Sequence, residues 1–192
     1  MNVLLSVLLL LAPVKVERGR FVITKDGKTI GTDEFSISKR GMGYFLEGKT
    51  TIGDLVISSQ MELDDKLNVT SYQASSREGS IQVKVSKPVS ELDSVLNGEK
   101  SSTDFRFPEG GIILDNNFFH HYLILLYRVQ TGQNSFSVFV PQDMRVGTAT
   151  VRSMRPRTYE LQVGDVKMEA TTDADGSLTR LSVPSANVIV QR

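Results

Sequence analysis

The sequence has no cysteine, two histidines and only six alanines among its 192 residues. Without cysteine it can form neither a disulfide nor a thiolate metal site, and a cysteine nucleophile is excluded. The two histidines, His120 and His121, are adjacent and offer little for hydrolytic or metal-dependent chemistry. Lysine plus arginine and aspartate plus glutamate number 22 each. The chain therefore lacks the excess of positive charge that is typical of a general nucleic-acid binder.

The N-terminus is an apolar run without charge, which spans residues 1–14 and ends at Lys15. It is shorter than the roughly 20 apolar residues of a membrane-spanning helix and fits the apolar region of a secretory signal, at about 7–15 residues. We therefore predict a signal peptide over residues 1–18 and a periplasmic or secreted protein. An uncleaved N-terminal anchor and a different start codon are the alternatives, and the absence of cysteine excludes a lipoprotein anchor.

The remainder predicts a β protein, because valine, isoleucine and threonine are abundant and alanine, the best helix former, is scarce. Apolar residues alternate with polar ones in short segments that turn residues separate, and Asp26-Gly27 and Asn97-Gly98 are strong hairpin signals. Eleven to thirteen strands follow one another in this way without a linker. We predict one domain over residues 19–192 whose sheet is mostly an antiparallel meander.

One segment, residues 115–129, departs from this alternation and is predicted to form a helix. Asp115 or Asn116 can serve as its N-cap, and Arg128 falls in its last turn. Its apolar side chains cover most of the circumference, which is typical of a helix buried on several sides. Because a long meander twists and curls, the predicted fold is a mainly β, single curved antiparallel meander, a β-roll or half-barrel, with this helix packed in its concave face.

No metal or catalytic site is predicted from the histidines or from the acidic residues. Adjacent positions on a helix point about 100° apart, so His120 and His121 are poorly placed to share a metal ion, and packing or hydrogen bonding is the preferred interpretation. The run Asp173-Ala174-Asp175-Gly176 resembles the start of a calcium loop but has Pro184 where the last ligand would stand. A β-turn explains it without an ion.

A cationic stretch follows the predicted helix, with no acidic residue between Asp143 and Glu160. Arginine side chains can bind phosphate or carboxylate in a bidentate manner, so these residues are candidates for contact with an anionic headgroup. A solvated strand face, with charges paired across strands, is the alternative. The arginines concerned are Arg145, Arg152, Arg155 and Arg157.

Three segments resemble a group of exported bacterial proteins of unknown function. They are RFVITKDGKTIGTDEFSI at 20–37, FRFPEGGIILDNNFFHHYLILLYR at 105–128 and TTDADGSLTRLSVP at 171–184. The architecture that this resemblance implies is similar to that of the glycolipid-binding spiral β-roll family and, more distantly, to the periplasmic lipoprotein-carrier half-barrels. The resemblance spans most of residues 20–190 and brings no catalytic residues with it.

Two functions agree with these observations. The first is the binding of an amphipathic ligand, a lipid or glycolipid, between the concave sheet and the 115–129 helix, with peripheral membrane contact. The second is a structural or assembly role in the cell envelope with a fully packed core. We predict neither enzymatic activity nor a cofactor, metal or nucleic-acid partner. The predicted ligand-binding residues are Phe118, Phe119, Tyr122, Leu123, Leu125, Leu126, Arg152, Arg155 and Arg157.

Overall fold

The computed structural model describes residues 14–192, so most of the predicted signal peptide lies outside the described residues. The described part forms one sheet of 15 strands, one α-helix and two short 3-10 helices. The first strand begins at Glu17, two residues before the predicted start of the domain. The strands are β1 Glu17–Lys25, β2 Lys28–Arg40, β3 Gly43–Ile52, β4 Leu55–Leu63, β5 Val69–Ser76, β6 Gly79–Lys84, β7 Ser90–Leu96, β8 Glu99–Phe105, β9 Ile112–Ile113, β10 Ser135–Val140, β11 Arg145–Arg155, β12 Thr158–Val163, β13 Val166–Thr172, β14 Leu178–Val183 and β15 Val188–Gln191.

The predicted fold class is confirmed, but the prediction of eleven to thirteen strands was too low, because the sheet has 15. The strands are ordered β8-β7-β6-β5-β4-β3-β2-β1-β15-β14-β13-β12-β11-β10-β9, and every neighbouring pair is antiparallel except β9 with β10. Both strong hairpin signals are turns, with Asn97 and Gly98 at φ of 51° and 85°. The sheet is open, since β8 and β9 are its two edges. It nevertheless curls back on itself, because the Phe105 ring at the end of β8 stacks on Phe139 of β10 at 4.5 Å.

The helix, α1, spans His121–Gln130, so the prediction of a helix from residue 115 was wrong at its N-terminal end. Asp115 caps a turn instead, because its Oδ1 accepts the backbone N–H of Asn117 and its carbonyl accepts that of Phe118. A second turn, between Phe119 and Tyr122, leads into α1. Residues 115–120 therefore form a non-helical segment before α1.

The face of the sheet that meets this segment and α1 carries the hydrophobic core. Phe21, Leu46, Leu161 and Val190, from strands on both sides of the sheet's centre, are fully buried there. The two ends of the described chain also meet, because Glu17 accepts a hydrogen bond from Arg192 Nη2 at 2.8 Å. Glu17 is also bonded to α1, since it accepts the Tyr127 hydroxyl at 2.7 Å. Along residues 14–192, no helix has the length and apolarity needed to cross a membrane.

Candidate functional site

A buried polar cluster lies where the segment before α1 meets the first strands. It consists of Asp33 on β2, Thr50 on β3, Ser59 on β4 and His120, and we call it the Asp33 cluster. The register places Asp33 directly opposite Thr50, and Ser59 opposite Gly48. Because Gly48 has no side chain, the His120 ring occupies the space that a Cβ would fill at that position. The sheet thus provides a hollow that fits one imidazole.

Hydrogen bonds satisfy the Asp33 carboxylate completely inside the core. It accepts the Thr50 hydroxyl at 3.0 Å, the backbone N–H of His120 at 2.8 Å and the His120 Nδ1–H at 2.7 Å. Asp33 and His120 are both fully buried. A buried carboxylate is tolerated when several donors replace its hydration. These three bonds therefore anchor the segment before α1 to the sheet.

The same cluster has the atom order of a Ser-His-Asp relay. With Nδ1 donating to Asp33, the Nε2 atom is left to accept the Ser59 hydroxyl, and the two atoms are 2.9 Å apart. A nucleophile must also reach a substrate carbonyl and have oxyanion donors nearby. Ser59 is only 3% exposed, and it sits in the middle of an interior strand that pairs with β3 and β5. In this conformation the three side chains form a chain of hydrogen bonds, and Ser59 is nearly completely buried.

Sequence reasoning missed the Asp33 cluster. It expected His120 to be a packing or hydrogen-bonding residue on a helix, whereas the ring lies before α1 and is fully buried. The partners Asp33 and Ser59 are 87 and 61 residues away in sequence, and neither stands in a recognisable motif. The one local signal was Asp33 itself, a charged residue at an inward position of an otherwise apolar alternation.

A second buried group joins Tyr72, Asp115 and His121. The Tyr72 hydroxyl donates to Asp115 Oδ2, and the backbone N–H of Asp115 donates to His121 Nδ1 at 3.3 Å. Burial, followed by the neighbouring His120, holds the pKa of His121 well below its usual value. Burial and the Asp115 carboxylate raise the pKa of Tyr72. Both side chains are therefore neutral near pH 7.

A cleft opens beside this group, between the inner face of β4–β8 and two crossing segments. Its volume is about 380 Å³. The crossing segments contribute Asp115 and Asn117 on one side and Pro141 and Met144 on the other. We call it the strand-end cleft, because its exposed lining residues Glu78 and Leu96, which mark its mouth, lie at the β5–β6 turn and at the end of β7. Its further lining includes Ile57, Ala74, Ser76, Glu78, Ile81, Leu92, Ser94, Leu96, Ser101 and Thr103.

A larger depression of about 540 Å³ lies on the opposite, solvent-facing side of β1–β5. Its lining is mostly charged, amide and hydroxyl side chains, such as Arg18, Glu47 and Gln60. Solvated polar side chains explain this face, whose lining is more polar than that of the strand-end cleft. The strand-end cleft is smaller but combines apolar walls with a few polar groups, as ligand sites usually do.

The predicted helix residues lie mostly inside the core and do not line the strand-end cleft. Four of them, Phe118, Leu123, Leu125 and Leu126, are 0–2% exposed. The other two, Phe119 and Tyr122, are half-buried and pack against the same core. The protein itself therefore covers the apolar side chains of α1, and a ligand reaches them only if α1 moves.

Three of the four predicted arginines, Arg152, Arg155 and Arg157, lie at the solvent-exposed β11–β12 hairpin, whereas Arg145 lies at the other end of β11. Arg152 stands directly opposite Glu160, and Glu160 opposite Glu169 on the next strand. Arg155 contacts the Thr158 hydroxyl, and Arg157 occupies the turn at φ of 63°. None of the three lines the strand-end cleft. The hairpin tip is a cationic surface separate from the cleft, and Glu160 and Glu169 lie beside it.

The aspartates at 173–175 form a turn, as the sequence indicates. Asp173 Oδ1 accepts the backbone N–H groups of Asp175 and Ser177, and Lys15 pairs with Asp175 at 2.9 Å. Between residues 14 and 192, no group of three or more histidine or acidic side chains is placed to hold a metal ion.

No family model, curated protein or solved structure matches the chain. The function is therefore inferred from the geometry of the strand-end cleft and of the two buried polar groups.

Proposed function

We propose that this protein is a non-catalytic protein of the bacterial envelope that binds an amphipathic ligand, such as a lipid or glycolipid, in the strand-end cleft. The observation that carries the proposal is the cleft itself. Its volume of about 380 Å³ falls within the roughly 300–1,000 Å³ of small-molecule sites. Ile57, Ile81 and Leu92 offer an apolar wall, while Ser94, Ser101 and Asn117 offer hydrogen bonds.

The predicted signal peptide supports the envelope location. The Glu17 side chain is buried and bonded to Tyr127 and Arg192, so cleavage before Glu17 preserves β1 and cleavage after it removes these contacts. In a Gram-negative host we expect the mature protein to begin between Pro13 and Phe21, and within that range before Glu17. Intact-mass analysis of the periplasmic fraction tests this, and a full-length cytoplasmic product would contradict it.

A purely structural role in the envelope is the second candidate. The close packing of α1 favours it, since Leu123, Leu125 and Leu126 are already covered by the protein. The two candidates differ in what they require of the cleft. A structural protein needs no occupant there, whereas a binding protein loses function when the cleft is filled.

The test measures binding of the neutral apolar fluorophore N-phenyl-1-naphthylamine to the protein. Both Ser101 and Ser102 are exposed residues of β8, but only Ser101 lines the cleft. Ser101→Phe therefore places a ring in the cleft, and Ser102→Phe places the same ring on the outer face of the strand. We expect the wild type and S102F to bind the probe and S101F to lose most of the binding. Equal binding by all three proteins, or none by the wild type, would favour the structural role.

A further inference from the structure

The charges around the strand-end cleft all have one sign. Two carboxylates, Glu78 at the mouth and Asp115 at the floor, are among its lining residues. The lining contains no lysine, arginine or histidine. Polar neutral groups, mainly serine hydroxyls and the Asn117 amide, make up the rest of its hydrogen-bonding surface.

The Asp115 carboxylate is 97% buried yet has no cationic partner. Its exposed fraction is 3%, and no lysine, arginine or histidine nitrogen in the described chain lies within 4.0 Å of its oxygens. It accepts hydrogen bonds from Asn117 N and Nδ2 at 2.9 and 3.1 Å and from the Tyr72 hydroxyl. These hydrogen bonds replace the hydration of the buried carboxylate, and no cation of the described chain lies beside it.

We propose that the strand-end cleft selects a ligand with a cationic ammonium headgroup on an alkyl chain. This inference rests on the proposed function and adds the sign of the headgroup. The ammonium group lies towards Asp115 and Asn117, where it meets a carboxylate and an amide oxygen. The alkyl chain lies along Ile57, Ile81 and Leu92. An anionic headgroup at the same position would face two like charges, and nothing in the lining would compensate them.

The experiment compares three amphiphiles of equal chain length, each below its critical micelle concentration. Decylammonium, decyl glucoside and decyl sulfate compete with N-phenyl-1-naphthylamine for the wild-type protein at low salt. We expect decylammonium to displace the fluorophore at a concentration at least about tenfold lower than either competitor. The difference should shrink at high salt, because salt screens the part of the attraction that reaches solvent.

Two variants remove the carboxylates separately. Glu78→Gln changes an exposed residue at the mouth, and Asp115→Asn removes the charge at the floor while keeping a side-chain oxygen for the Tyr72 hydroxyl. Glu99→Gln, on β8 but outside the cleft lining, is the matched control. We expect each cleft variant to reduce the preference for decylammonium over decyl glucoside severalfold, and E99Q, outside the lining, to leave both this preference and fluorophore binding unchanged. If D115N does not fold, E78Q and the salt dependence decide the question.

The outcomes separate this inference from the proposed function. If decyl glucoside competes as well as decylammonium, and S101F still abolishes fluorophore binding, the cleft binds amphiphiles but the ammonium preference is wrong. Stronger competition by decyl sulfate would also overturn it. If the wild type binds no fluorophore, or S101F binds it normally, ligand binding in the strand-end cleft is contradicted. The ammonium preference is then contradicted as well, because it depends on that binding.

Discussion

At the scale of single residues, Gly48 and Ser59 show how a curved sheet accommodates a polar side chain. They are direct neighbours on β3 and β4 and face the core. Gly48 leaves room for the His120 ring, and Ser59 supplies the hydrogen bond to its Nε2 atom. Phe35, on the other side of Gly48, lies nearly parallel to the imidazole, at 6.3 Å between centroids. Small changes at these positions therefore act on the whole segment before α1.

We expect Gly48→Ala to destabilise the protein by about 1–3 kcal/mol or more, the usual range for overpacking a core. The added methyl group would overlap the His120 ring, and the ring cannot retreat without breaking its bonds to Asp33 and Ser59. Gly147→Ala on β11 is the control, because nothing lies within 4 Å of its Cβ position and no positive φ is recorded there. Urea unfolding of both variants measures the difference, and equal midpoints would show that His120 is loosely held.

Ser59→Ala should lower the free energy of unfolding by about 1–3 kcal/mol, because it leaves the buried His120 Nε2 without its partner. Ser58→Ala, one residue earlier and on the exposed face, should change it by no more than about 0.5 kcal/mol.

Ser59 also tests the alternative that the protein is an enzyme. We expect a fluorophosphonate probe to leave the folded wild type unlabelled, whereas labelling that disappears in S59A but not in S58A would identify a serine hydrolase.

At the scale of elements, the segment 115–130 shows what a sequence pattern can and cannot determine. The apolar run correctly indicates a buried helix, and Arg128 lies in its last turn. The start was placed six residues too early, because an aspartate or asparagine before an apolar run signals an N-cap and a turn equally well. Here the partners of Asp115 and His120 on distant strands favour the turns. Those long-range bonds carry no local signal.

Leu125→Ala should destabilise the protein by about 2–5 kcal/mol, since the side chain is fully buried and its removal leaves a cavity. If the variant remains folded, we expect it to bind N-phenyl-1-naphthylamine as the wild type does, because Leu125 does not line the strand-end cleft. Thermal melting followed by fluorescence titration tests both statements. Loss of probe binding in a variant that still melts cooperatively would show that the probe binds at the apolar side chains of α1 and not in the strand-end cleft.

The hairpin of β11 and β12 carries the three arginines for which contact with an anionic membrane is predicted. We expect the triple change of Arg152, Arg155 and Arg157 to serine to weaken binding to anionic vesicles at low salt, and the loss to shrink as salt rises. The control replaces three exposed lysines elsewhere, Lys25, Lys28 and Lys39, with serine. Vesicle co-sedimentation measures the binding. If both triple variants bind equally well, the hairpin arginines form an ordinary solvated strand face opposite Glu160 and Glu169.

At the scale of the whole molecule, the curl of the sheet creates both the core and the site. Turn residues and alternation predict the hairpins and the curved meander, since both are local signals. They do not predict that β15 joins β1 at the centre of the sheet, or that Phe105 meets Phe139 across its open edges. The strand-end cleft depends on those distant contacts. Its lining comes from five strands and two crossing segments, and no short motif connects these positions in sequence.

The stability of the folded protein should fall on mild acidification. Burial lowers the pKa of His121 below its ordinary value of 6.5 in the folded state, so below about pH 6.5 the unfolded chain binds a proton that the folded chain refuses. The free energy of unfolding then decreases with falling pH, by up to about 1.4 kcal/mol per pH unit for one such group.

Urea unfolding between pH 7.5 and 5.5 measures this slope above the range in which most carboxylates titrate. The groups that face His121 are Tyr72, Asp115 and His120, and His121→Gln keeps a side-chain acceptor for the Asp115 backbone N–H while removing the titration. We expect H121Q to be less stable at pH 7.5 and to have a flatter slope than the wild type. Parallel slopes in the two proteins would mean that His121 accepts a proton in the folded state, which the apolar packing around its ring opposes.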